Sequence, residues 1–185
     1  KNNRTLPRRT WIPDNVRTSG LFVYDIAVDL RTLFCVSTNQ HEPELTVDMI
    51  EKLENDGWIK SKNVFGSCLV LPKEQRDALI PVLANSLINW RITSNQSRTF
   101  SLMETLAVAI STNANKIAGA IRAKLDEDSE SPAAKPVIES IPDTDLFVSL
   151  SCGGYVPTTL ESSDALEAAE TKLVDMLSAF DYDNQ

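Results

Sequence analysis

SLMETLAVAISTNANKIAGAIRAKL, residues 101–125, is the stretch on which the fold class turns. Ser101-x-x-Glu104 has the spacing of a capping box, in which a serine hydroxyl and a glutamate carboxylate satisfy backbone amides left free at a helix start. Behind it Leu102, Leu106, Ile110, Ile117, Ile121 and Leu125 recur at helical spacing. The stretch therefore predicts the longest helix of the chain and the spine of its core.

Working outward, Pro72 opens a second helix over Lys73–Ile92, with Leu79, Val82, Leu83, Leu87 and Trp90 on one face and Pro81 as a kink or split. Pro43–Asp56 reads as an amphipathic helix with Leu45, Met49, Ile50 and Leu53 inward, and Gly57 is its stop. Trp58–Ile59 and Ser67–Leu71 flank a polar turn and predict a hairpin. Gly20–Val36 fits two periods. Phe22, Tyr24, Ile26, Val28 and Leu30 alternate as on a strand, whereas Asp25, Asp29 and Thr32 form a polar stripe at helical spacing; its length favours a mostly buried helix. Leu146–Val156 holds Gly153–Gly154 between two apolar runs, a second hairpin candidate, and Asp164–Phe180 closes the chain as an amphipathic helix.

The expected architecture is mainly α with minor β in short hairpins: a single helical domain with an extended N-terminal arm. Residues 1–18 form the basic extended arm and 19–125 the helical core domain, with its β-hairpin near 58–71. Residues 126–145, with Pro132, Pro136 and Pro142 among acids and serines, read as an acidic linker, and 146–185 as a short hairpin plus the acidic C-terminal helix.

Charge is segregated along the chain. Residues 1–17 balance at +4, residues 18–125 are neutral and residues 126–185 balance at −12, giving −8 in all. Opposite charges at the two ends favour head-to-tail association over contact of like with like. In the arm, Arg4, Arg8, Arg9 and Arg17 are suited to neutralising phosphates without reading sequence, and Trp11 to stacking on a base. Four net charges give weak affinity per copy, which matters when many copies act together.

The catalytic inventory is thin. His41 is the only histidine, set among polar residues before a helix. No nucleophile elbow and no phosphate-cradling glycine loop occurs, so no catalytic residue and no cofactor is assigned. Asp126, Glu127, Asp128 and Glu130 lack the glycine and spacing of a calcium loop, so no metal site is assigned. Cys35, Cys68 and Cys152 are odd in number and widely spaced, as free thiols in a reducing compartment are, which places the chain inside the cell or in a virion. No apolar run approaches the ~18–20 residues of a membrane span.

The charge plan resembles that of viral coat and nucleocapsid proteins, in which a basic arm meets RNA and the body builds a shell or filament. The resemblance lies in layout and in no motif. It implies a non-enzymatic, self-assembling structural protein, a homo-oligomer whose arm binds single-stranded RNA. Leu166, Leu173, Leu177 and Phe180 on the C-terminal helix are the expected assembly or partner contacts. A second resemblance gives the alternative. Glu44–Asp56, Trp58–Ile59, a polar turn and Cys68–Leu71 follow the winged-helix order of recognition helix, strand, wing and strand. Asp48, Glu51, Glu54 and Asp56 against a lone Lys52 would repel a phosphate backbone. That implies an adaptor or regulatory module whose acidic C-terminal helix engages a protein partner.

Overall fold

The computed structural model describes residues 20–39, 41, 43–90, 103–128, 130, 131 and 133–185. Among them the chain runs β1 (Cys35–Ser37), α1 (Val47–Asn55), β2 (Ile59–Asn63), β3 (Gly66–Val70), α2 (Lys73–Ile88), β4 (Ala107–Ile110), α3 (Ala114–Ala120), β5 (Ile121–Asp126), β6 (Ala133–Ile138), β7 (Asp145–Ser149), β8 (Glu161–Ser162) and α4 (Ala165–Ala179). The mainly helical expectation is overturned: four helices and eight strands in three sheets make the fold mixed α/β.

The largest correction falls on residues 101–125. The expected spine helix is a strand, a short helix and a second strand. Ala107–Ile110 zips antiparallel against β7, with Ala107 opposite Val148 and Ile110 opposite Asp145. Alternation serves both faces: Val108 and Ile110 join Ile88 and Ala169, while Ala107 joins Val148, Cys152 and Val156. Burial on two faces outweighs the helical propensity of an alanine-rich run. The polar run Ser111–Asn113 then breaks the chain. Ser111 donates its hydroxyl to the Asp143 carbonyl (2.8 Å), and Asn113 caps α3 by accepting from the amides of Asn115 (3.0 Å) and Lys116 (3.2 Å). Ser101 and Leu102 lie outside the described residues, and Glu104 accepts instead from the Ser151 hydroxyl at 2.6 Å.

Residues 126–145, expected as a linker, contribute β6, which pairs antiparallel along the whole of β5. Pro136 is tolerated there because a two-stranded ribbon leaves each strand one free side. Residues 146–156 form no hairpin. β7 leads into a 3₁₀ turn at Leu150–Gly154, and β8 returns parallel to β7. Gly20–Val36 is neither a buried helix nor a paired strand before Cys35: residues 21–29 adopt no regular secondary structure and are exposed.

Two expected elements are present, with a difference in facing. α1 is capped by Thr46, whose hydroxyl accepts the Met49 amide, and it ends in a Schellman motif. Gly57 sits at φ +93°, its amide reaching the Glu54 carbonyl (3.1 Å) and that of Trp58 reaching Leu53 (3.0 Å). None of the α1 side chains is buried. α2 runs unbroken through Pro81, which lies on the exposed side of the helix. Its buried face is Arg76, Ile80, Ala84 and Ile88, so Leu79, Val82 and Trp90, expected inside, point outward.

The C-terminal residues fasten the parts together. α4 lies on α2 and on the β4–β7 sheet through Leu166, Leu173 and Met176. Beyond it Phe180 and Tyr182 pack on Cys68 and Val70 of β3, with the Tyr182 ring 5.4 Å from that of Phe34. Arg76, almost sealed from water, grips both carboxylate oxygens of Asp183 at 2.9 Å and donates to the Leu71 carbonyl at 2.7 Å. Removing one partner of a buried pair strands the other charge, and the partial exposure of Asp183 softens that penalty. Asp183→Ala is expected to cost about 2 kcal/mol in urea unfolding, against less than about 0.5 for the exposed Asp175→Ala. Equal midpoints for the two variants would show that the pair does not secure the tail.

Candidate interaction surface

LFVYDIAV, residues 21–28, is rich in β-branched and aromatic side chains that favour extended backbone. Asp29 ends the run. Its carboxylate accepts from the Arg31 amide (3.0 Å), Nε (2.8 Å) and Nη2 (2.7 Å), and its carbonyl accepts from Thr32 and Leu33. Those Arg31 hydrogen bonds hold the Asp29 carboxyl below the usual carboxylate range. The resulting turn passes through Phe34 at φ +63° into β1.

Leu21, Phe22, Val23, Tyr24, Ile26 and Val28 are each between 38% and 58% exposed. No backbone hydrogen bond joins residues 21–28 to any other described residue. Tyr24 is the tie. Its hydroxyl donates to the Leu87 carbonyl (3.3 Å) and its ring lies 5.5 Å from that of Trp90, and burial of the phenol raises its pKa. The segment thereby meets the outer side of α2, where Leu79, Val82 and Trp90 are also exposed. Isolated exposed apolar residues are ordinary on a protein surface, whereas a run of six with the exposed Trp90 against it marks a contact surface.

The other sequence-derived candidates are placed as follows. Arg4, Arg8, Arg9, Arg17 and Trp11 lie outside the described residues. Leu166 and Leu173 pack on Ile88, Ile110 and Ala169; Leu177 is buried; Phe180 packs on Cys68, Val70 and Tyr182. These four side chains are thus engaged within the chain itself. Sequence reasoning missed the exposed segment by weighting the polar stripe of Asp25, Asp29 and Thr32. The signal against a buried helix is the alternation of the larger apolar side chains Phe22, Tyr24, Ile26 and Val28.

A polar cleft of about 300 Å³ lies beside β1 and β3, lined by Cys35, Ser37, Asn39, Glu44, Asn63 and Ser67 among others. Its groups are largely spent on one another. The Ser37 amide donates to Glu44 (3.2 Å), and Asn63 donates to the Arg31 carbonyl (3.1 Å) while accepting from the Phe65 amide (2.9 Å). The Cys35 thiol is pushed up to about 11 by burial and by neighbouring Cys68, so at neutral pH it is protonated and a poor nucleophile. Burial, with the charge of Glu161, likewise raises Cys152. His41 is exposed, its amide donating to the Asn39 side chain at 3.0 Å. Asp126 of the acidic cluster pairs with Lys135 across the β5–β6 ribbon at 3.2 Å. Among the described residues no three His, Cys, Asp or Glu side chains converge as a metal site would require, and no helix is long and apolar enough to cross a membrane.

No family model, curated protein or solved structure matches this chain.

Two outcomes check these assignments. Val82→Lys should change stability by less than about 0.5 kcal/mol, whereas Ile80→Ala, on the buried face of the same helix, should cost about 2–4 kcal/mol. The reverse order would mean that α2 faces the other way. Alkylation of Cys35 by iodoacetamide at pH 8 should run about a hundredfold slower in the folded chain than in urea, rising tenfold per pH unit toward pH 11. Equal rates in the two states would show an unperturbed thiol.

Proposed function

We propose that this chain is a non-enzymatic structural subunit that associates with copies of itself and gathers single-stranded RNA through its basic N-terminal stretch. The observation that carries the reading is the exposed apolar run Leu21–Val28 beside the outer face of α2. Leaving so many aromatic and β-branched side chains in water has a standing free-energy cost, which association removes. The charge plan supports the same reading. Residues 1–17, at +4, directly precede the exposed run, so a contact made by the run gathers basic residues from many copies.

One observation favours a second reading, a protein-binding adaptor. α1 is acidic and amphipathic with Val47 and Met49 exposed, and it leads directly into the β2–β3 hairpin, the order that resembles a winged helix. In this version the partner meets α1, because the apolar face of α4 is engaged at home.

Binding of a fluorescent single-stranded RNA across a salt series, with light scattering on the same samples, separates the two. The subunit reading expects particle mass to grow with protein concentration. It also expects an RNA affinity that falls with a log–log salt slope of roughly −3, for four phosphate contacts on a single strand, and that is lost when residues 1–18 are removed. A chain that stays monomeric and binds no RNA at low salt would transfer the case to the adaptor. There Met49→Asp should abolish partner capture and deletion of 1–18 should not.

A further inference from the structure

Each free sheet edge on a protein surface invites an added strand, and proteins blunt such edges with lysine, proline, brevity or a covering group. Almost every edge here is blunted. β2 carries Lys60 and Lys62. β1 has three residues, and its outward amide at Ser37 is occupied by the Glu44 carboxylate. β8 has two residues, and the β5–β6 ribbon carries Arg122, Lys124, Lys135 and Pro136.

β4 is the exception among the described residues. Ala107–Ile110 lies at the open side of its sheet, without a charge or a proline. The Ser149 amide donates to the Leu106 carbonyl at 2.9 Å, and antiparallel pairs alternate, so the amides and carbonyls of Ala107 and Ala109 point away from β7. No described residue hydrogen-bonds to them there. Leu21–Val28 is the complement: a run of strand-forming residues outside any helix or strand, whose backbone groups make no backbone hydrogen bond to another described residue. The two lie at the same end of α2. The Thr105 hydroxyl before β4 donates to the Ile88 carbonyl (2.6 Å), one residue along from the carbonyl that receives Tyr24.

We propose that Leu21–Val28 of one copy adds as a strand to the free edge of β4 in a second copy. The inference rests on the self-association reading and names the contact that carries it. Main-chain hydrogen bonds supply the affinity, and alternate side chains enter the apolar layers on the two faces of that sheet. Each chain offers one donor and one acceptor, so the contact is met by a copy of the same chain without any other partner. Charge favours this occupant as well. The exchange carries residues 1–17, at +4, to a neighbour whose residues 126–185 stand at −12.

The test is a disulfide scan between two chains, both with Cys35→Ser, the remaining native thiols being buried. One chain carries A109C. The other, isotopically labelled, carries a cysteine at one of positions 22–27 in turn. The expected result is an interchain disulfide, identified by mass spectrometry, that forms at alternate donor positions and fails at those between. That period of two is the signature of strand pairing and does not arise from loose apolar contact. Growth in particle mass without such a disulfide, or a disulfide confined within one chain, overturns strand exchange and leaves self-association standing. A chain monomeric at every concentration overturns both. A109P removes only an outward amide, so it should abolish the association while keeping the fold by circular dichroism; association undiminished in folded A109P also rejects the proposal.

Discussion

Arg76 is the constraint around which the remainder of the structure is arranged. It projects from the first turn of α2 into the space between β3 and the chain terminus, where an unpaired guanidinium would be costly. Asp183 supplies the charge through a two-point contact, the Leu71 carbonyl takes a further N–H, and the ring of Tyr182 lies 5.4 Å from the guanidinium carbon. The neighbouring residues share the work. The Tyr182 hydroxyl donates to Leu177, one of the carbonyls left free at the end of α4, and the Asp181 carboxylate accepts the amides of Asp183 and Asn184 to form the turn. The Ser61 hydroxyl, donating to the Asp183 carbonyl at 3.0 Å, brings β2 into the same knot.

This knot determines what is left for a neighbour. With the tail pinned to the first sheet, α4 is drawn onto α2 and the β4–β7 sheet, and its apolar stripe is consumed there. Asn85–Glu170 and Lys172–Asp145 contacts fix its rotation at the rim. An acidic amphipathic helix with a proline-containing stretch before it reads as a tethered docking element only while its home site is unknown. Here the home site is the chain's own core. The longest exposed apolar run among the described residues lies elsewhere, on Leu21–Val28.

Legibility followed the range of the deciding interaction. α1 was readable because its ends are local chemistry, a threonine cap and a glycine at positive φ, and the β2–β3 hairpin because its halves are adjacent in sequence. The α4 stripe was readable because one periodicity fits it. Residues 101–125 were misread because four of them pair with β7, nearly forty positions away, and no local signal outweighs that ladder. β6 hid behind its prolines for the same reason, its partner β5 lying across an acidic turn. The facing of α2 turned on Arg76, whose polarity sends it outward in any hydropathy pattern, although its charge partner sits 107 positions later. The candidate surface was half legible. Alternation over Phe22–Val28 was visible, but an apolar run is presumed to be buried, and its exposure emerges only once the rest of the core is seen to close without it.

Closure without that run is the point from which the functional reading draws its strength. A folding chain that lacked apolar material would recruit Leu21–Val28 to complete its interior, and the fold needs none of it: clusters on β3, between α2 and α4, and on the far face of β7 are each filled by other segments. A largely apolar run of eight strand-favouring residues is nevertheless present, adjacent in sequence to a basic stretch. The blunted edges sharpen the argument. Lysines on β2, a carboxylate on β1 and a proline in β6 each deter strand addition, and among the described residues β4 is left bare. A bare edge and a spare strand-favouring run in one sequence are each a liability alone and complementary together, and it is on that complementarity that the proposal of a second copy rests.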